Sequence, residues 1–141
     1  MRILVSLLLI TLTGAVYADG EAEFKYRQGI FRSVGGHMTS MAAILRGQVH
    51  VENLALHANA MKDVSRIVPT VLPEGSGVGE SEALPAIWEE PDDFRAALDK
   101  FVTAADGMAA AAESGDPSKL GPAIQALGGS CKNCHDNFRA E

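Results

Sequence analysis

The sequence predicts an all-α fold, an antiparallel four-helix bundle with a left-handed twist. Three observations predict it. Beyond residue 18 no stretch carries the apolar–polar alternation of a half-buried strand; apolar residues recur at three and four instead. Four such stretches follow one another, joined by two short turns and one long connection, the pattern of helices packed around one core. Their mean repeat is about 3.5 residues, the period at which helices cross near +20° and coil left-handed.

The chain opens on a segment that belongs to no helix of the bundle. Arg2 precedes an apolar run from Ile3 to Leu12, and Val16-Tyr17-Ala18 has the small-residue pattern of a cleavage site. Such a run is about half of what spans a bilayer, so a signal peptide (1–18) cut after Ala18 is preferred to a retained membrane anchor. The mature domain is then 19–141, enough for one core and with no membrane span. Losing Arg2 takes the formal charge from −6 to −7, which argues against a nucleic-acid partner.

In the first helical stretch Phe24, Phe31, Met38 and Leu45 repeat every seven residues, Arg27, Val34 and Met41 take the second seam position, and Gly47 is the stop. Gly35-Gly36 inside it would permit a kink or a close approach. His37 lies off the stripe and is expected to be exposed. The second stretch aligns Val51, Leu54, Ala58, Met61 and Val68 and ends before Pro69. Residues 69–91 form the long connection, with four of the six prolines and the Gly75-Ser76-Gly77-Val78-Gly79 run; Trp88 is expected to fold it back onto the body. Pro91 suits the first turn of the third helix, with Asp92 and Asp93 at its positive end. That helix aligns Phe94, Ala97, Phe101, Ala104, Met108 and Ala111 and ends near Ser114-Gly115. Asp116 is an N-cap and Pro117 the first residue of the fourth helix. Its seam is Leu120, Ile124, Leu127, Cys131, Cys134 and Phe138, and the alanine-rich third and fourth seams allow close approach or leave room for a planar cofactor.

Cys131-Lys132-Asn133-Cys134-His135 is a C-x-x-C-H sequence, the attachment pattern of a c-type haem. Two thiols add across the haem vinyl groups and the imidazole coordinates iron. On a helix Cys131, Cys134 and His135 share one face. The two cysteines continue an apolar seam, which suits a haem inside a bundle. A thioredoxin-like dithiol would open a helix after a strand, and a zinc site would need a fourth ligand that His37, His50 and His57 do not offer at a local spacing.

The chain resembles the cytochrome c′ family, class II c-type cytochromes, over about 24–139. Tyr26-Arg27-Gln28 is similar to the family's opening signature, Leu72-Pro73-Glu74-Gly75-Ser76 and Glu82-Ala83-Leu84-Pro85-Ala86-Ile87-Trp88 to its middle loop, and Leu127-Gly128-Gly129-Ser130-Cys131-Lys132-Asn133-Cys134-His135 to its haem segment. The resemblance implies one haem c on the C-terminal helix, with Cys131 and Cys134 as thioether cysteines and His135 as proximal ligand. It places Arg27 and Gln28 near the haem propionates, Glu82 against the haem and Arg139 beside His135. Arg27 on an apolar seam is satisfied by a propionate or by reaching solvent at the helix end. Glu82 is a haem contact or a solvated loop acid, and Arg139 a proximal partner or a cation favourable at a helix C-terminus.

The resemblance also locates the sixth coordination position at Phe31, where low-spin relatives carry methionine. Phenylalanine has no lone pair, which implies five-coordinate, high-spin iron beneath an apolar lid. Met38 and Met41 lie further along the helix and suit core filling; Met61 and Met108 remain open as ligands. The expectation is a periplasmic electron carrier with redox partner proteins. The alternative is a module binding nitric oxide or carbon monoxide. No distal acid–base pair marks an enzyme. Relatives dimerise through their first two helices, which implies a homodimer.

Overall fold

The computed structural model describes residues 20–140, so the expected leader and its cleavage point lie outside the described residues. The long helices are α1 (Gly20–Gly47), α2 (Leu54–Ser65), α4 (Pro91–Glu113) and α5 (Pro117–Phe138), with a single-turn α3 (Ala86–Glu89) in the long connection. No strand occurs among the described residues; one isolated antiparallel bridge joins Ala83 to Arg139.

α1 stops at Gly47 as predicted, and the chain reverses through Gln48 and His50 at φ of 52° and 49°. α2 is shorter than the second stretch implied. It begins after a 3₁₀ turn (Val51–Asn53) and yields to another (Val68–Thr70) that contains Pro69. The reason is local. Arg66 and Ile67 donate to Asp63 and Val64, three residues back, which tightens the last turn before the proline.

The long connection is tied down by Trp88, as expected. Its indole N–H donates to the carbonyls of Leu72 and Pro73 at 3.1 and 3.2 Å. The ring lies so close to Gly77 that a Cβ there would sit 2.8 Å from Cη2, so the connection needs glycine at this point. The turn of α3 that carries Trp88 had no signal in the apolar spacing.

Pro91 opens α4, with Asp92 and Asp93 in its first turn. Gly115 at φ 66° reverses the chain after it. Asp116 caps α5, accepting from the Ser118 N–H at 3.0 Å and from its hydroxyl at 2.7 Å. Pro122 lies inside α5, a position the sequence reading passed over.

α1 packs on α2, α2 on α4 and α4 on α5. The fourth side of the bundle is its widest: the backbones of α1 and α5 remain more than 8 Å apart at nearly every position. The core is one cluster in which Met41, Met61, Met108 and Leu127 are fully buried. Three of the methionines considered as ligands are therefore core packing. On α1 the buried positions are Arg27, Met41 and Ile44, while Phe31 keeps 39% of its surface exposed. The stripe through Phe31 is thus a partly open flank, whereas the Arg27–Met41 stripe faces inward. The helix runs unbroken through Gly35 and Gly36, and a Cβ on either would meet nothing within 4 Å.

Candidate functional site

The widest side positions the residues singled out by the sequence. α1 begins and α5 ends at the same loop, so the two run antiparallel. At the start of α1, Arg27 is bound to Ser76 and Ser81; at the end of α5, Arg139 is bound to Glu82. Their register is set by Met38 and Gly128: a Cβ on Gly128 would lie 3.5 Å from Met38 Cε. Counting seven residues, about 10.5 Å of rise, back along α1 and forward along α5 from this contact leads to the expectation that Phe31 and His135 stand at a similar level. Cys131 follows Gly128 on the same stripe, one turn before His135.

Cys131 and Cys134 are half-buried free thiols packed against the core cluster. Burial pushes both thiols up, Cys134 further under the influence of Cys131, with hydrogen bonds at Cys131 opposing. A redox dithiol requires the opposite shift and a helix N-terminus, and this motif lies in the last two turns of α5. The His135 imidazole is held below the ordinary histidine value, first by burial and then by the Arg139 cation, with Asp136 and Glu82 opposing. The shift favours the neutral ring. Phe138, three residues on, packs edge-on to Phe94 at 5.1 Å and fixes this end of α5 to the start of α4.

Arg27 is 4% exposed, and the structure satisfies it in a way neither sequence alternative named. Its guanidinium donates to Ser76 Oγ (2.9 Å), the Ser76 carbonyl (3.1 Å) and Ser81 Oγ (2.8 Å), and lies over the Phe24 ring at 5.3 Å. Three of five N–H donors are thus spent on the long connection. Burial lowers its pKa while Glu23 opposes. We expect Arg27→Ala to cost about 2–4 kcal/mol of unfolding free energy, because Ser76 is left buried beside a cavity. Urea unfolding of the purified protein checks this, and a loss below about 1 kcal/mol would contradict the anchoring role. Gln28, half-buried beside it, makes no side-chain hydrogen bond among the described residues.

Glu82 and Arg139, read separately from sequence, are partners. Arg139 Nε donates to Glu82 Oε2 at 2.7 Å. The backbone repeats the junction: Leu84 N–H donates to the Phe138 carbonyl at 3.0 Å and Ala140 N–H to the Glu82 carbonyl at 2.8 Å. One sequence expectation needs correction. His37 is half-buried, with its Nδ1 3.1 Å from Nδ1 of His57. Of the two outcomes that the alanine-rich seams of α4 and α5 allowed, close approach is the one seen: α4 packs on α5, and Ala97, Ala105, Ala109 and Ala111 are buried. A groove of about 820 Å³ lies on the outer side of α4 and α5 and is lined by neither cysteine nor His135.

Two half-buried thiols and an exposed imidazole on one helical face, beside the widest side of the bundle, are a donor set that fits a covalently held haem. Fold and site thus define a helix-bundle haem protein. A sequence profile of the Cytochrome C' family matches residues 22–139. The cytochrome c′ of Pararhodospirillum photometricum is 38% identical over 124 residues, 86% of this chain and 99% of that one. The crystal structure of cytochrome c′ from Rubrivivax gelatinosus superposes with a TM-score of 0.81 at 31% identity, covering 87% of this chain and 98% of that one. Cytochrome c′ of Alcaligenes xylosoxidans, solved as nitric oxide and carbon monoxide complexes of variants, is similar at TM-score 0.81 and 28% identity, over 89% of this chain and 98 to 99% of that one. The chain belongs to the cytochrome c′ family, and its cofactor is haem c.

Proposed function

We propose that the chain is an exported, periplasmic electron carrier that holds its haem through thioether bonds from Cys131 and Cys134, with His135 as the only protein ligand to a five-coordinate, high-spin iron. The observation that supports this reading is the approach of Met38 to Gly128; helix rise counted from it brings an apolar ring, Phe31, to the level of His135, where a sixth ligand would have to come from α1. The bound haem supplies a one-electron couple. The chain's own residues do the rest. Cys131 and Cys134 fix the group to a rigid helix, and His135 offers a neutral nitrogen. Arg27 keeps two N–H donors and Gln28 its amide for the propionates. The Glu82–Arg139 pair holds the turn that carries His135, and Phe31 excludes water. The α1 stripe beside Phe31 offers Val34 and Met38, neither able to move a proton, so the site favours carriage over catalysis.

Absorption spectra of the ferric and ferrous protein test the reading. High-spin bands are expected; a sulfur-to-iron charge-transfer band would overturn it. A second reading, binding of a diatomic gas, draws support from the nitric oxide and carbon monoxide complexes of the Alcaligenes relative. Nitric oxide binding that is tight relative to cellular levels would favour it, and fast electron exchange with a matched partner protein favours the first. α1, α2 and the 3₁₀ turn between them expose Val51 (55%), Leu56 (63%) and the open Gly35-Gly36 pair, which suits a homodimer through these helices.

A further inference from the structure

His37 and His57 lie outside the haem site, and carriage of electrons does not use them. They stand 20 positions apart on different long helices, each one turn before a fully buried methionine, Met41 on α1 and Met61 on α2. The pair therefore sits on backbone that the core holds in place. Both rings are half-buried, so protons reach them from solvent. Met38, next to His37, brings its Cε to Gly128 of α5. Residues 37 and 38 thus tie the middle of α1 to both of its neighbours.

Nδ1 of His37 is 3.1 Å from Nδ1 of His57, with the ring centroids 5.4 Å apart. These are the distances of a head-on imidazole–imidazole hydrogen bond, in which one Nδ1 donates and the other accepts. The proton count of the pair decides whether that bond can exist. With both rings neutral, one carries its proton on Nδ1 and the other on Nε2. One added proton still leaves a lone pair on one Nδ1, and the bond persists in charge-assisted form. A second added proton turns both Nδ1 atoms into donors. No acceptor remains, and two cations face each other across a helix interface. We propose that the His37–His57 hydrogen bond is a proton-operated clasp, which holds α1 to α2 while at least one ring is neutral and releases them when both are protonated.

The charged groups around the pair leave it to itself. On α1 those closest in sequence are Arg32 and Arg46; on α2 and the turn before it they are Glu52, Lys62 and Asp63. Glu52 lies beside His50. On α4, which packs on α2, Asp106 and Glu113 are held by Arg66 and Asn59. On α5 the charged side chain closest in sequence to Gly128 is Lys132, paired with Asp136. The 3₁₀ turn Val68–Thr70, which touches α1, carries none. Of all these groups only His57 acts on His37. Burial first, and then His57, hold the His37 imidazole below the ordinary histidine value, with no carboxylate opposing. A histidine held low in the folded chain binds more protons when unfolded. The clasp therefore contributes fully above about pH 6.5 and is lost as pH falls through the folded value.

The test is amide hydrogen exchange of the haem-loaded protein, followed by mass spectrometry of peptides from each helix between about pH 8 and about pH 4.5, on either side of the ordinary histidine value. Each rate is divided by the intrinsic rate at that pH. Protection of the α1 and α2 amides around His37 and His57 is expected to fall roughly tenfold more than that of α4 across this range. In His37→Gln the amide keeps polar reach but gains no charge, so α1, α2 and α4 should change together. His57→Gln removes the clasp from the other helix and should do the same. It also serves if His37→Gln does not fold, as judged by helical circular dichroism. His50→Gln, at an exposed histidine outside the pair, should keep the wild-type behaviour. The carboxylates titrate alike in every variant, so the comparison removes their share. Equal loss of protection in α1, α2 and α4 of the wild-type protein would overturn the proposal. So would a selective loss in α1 and α2 that persists in His37→Gln and His57→Gln, or that disappears in His50→Gln.

Discussion

Replacing Cys131 and Cys134 together with alanine is expected to abolish haem that survives denaturing electrophoresis. Each thiol lies half-buried on the α5 face that borders the widest side of the bundle, and the chain has no other cysteine. Either single variant keeps one attachment point and should retain denaturation-resistant haem, with an altered spectrum from the unreacted vinyl group. Any haem still bound in the double variant would rest on His135 and on packing alone. Its occupancy then depends on haem concentration, and stability rises with free haem as mass action requires. Haem that stays on the denatured double variant would contradict the attachment assigned to these two thiols.

Phe31 has the second large effect, and two substitutions there pull in different directions. On the proposed placement of Phe31, Phe31→Ala is expected to open the side facing His135. Carbon monoxide should associate with the ferrous protein about tenfold faster or more, a barrier reduction of about 1.4 kcal/mol or greater. Phe31→Met introduces a thioether at the same register position and is expected to convert the iron to six-coordinate and low-spin, with loss of carbon monoxide affinity. Stopped-flow mixing reads the first change and absorption spectroscopy the second. Unchanged association in Phe31→Ala together with a high-spin Phe31→Met would show that this ring does not face the iron.

Much of this site was legible because its determinants are local. The C-x-x-C-H spacing, Asp116-Pro117 at the start of α5 and the prolines of the long connection act over a few residues, and each lies where the spacing placed it. What escaped the sequence depends on partners distant along the chain. Arg27 finds Ser76 and Ser81 some fifty positions away. Glu82 finds Arg139 across 57 positions. His37, read as exposed because it lies off the heptad stripe, is covered because the neighbouring helix brings His57 to it. Periodicity ranks positions on one helix against one neighbour, and it carries no information about a second. The same limit explains why the alanines of α4 left close approach and room for a cofactor both open. Small side chains permit either a gap or a close approach, and here α4 and α5 approach.

The junction between Glu82–Leu84 and Phe138–Ala140 alters how the chain's end behaves. The last turn of a helix ordinarily frays, opening and closing independently of the rest. Here Phe138 offers its carbonyl to Leu84, Ala140 offers its amide to Glu82, and the Phe138 ring is locked against Phe94. Opening this turn requires breaking contacts to two other parts of the molecule. Its amides should therefore exchange with solvent by the larger opening that frees the core, and His135 shares that protection three residues from the end of its helix.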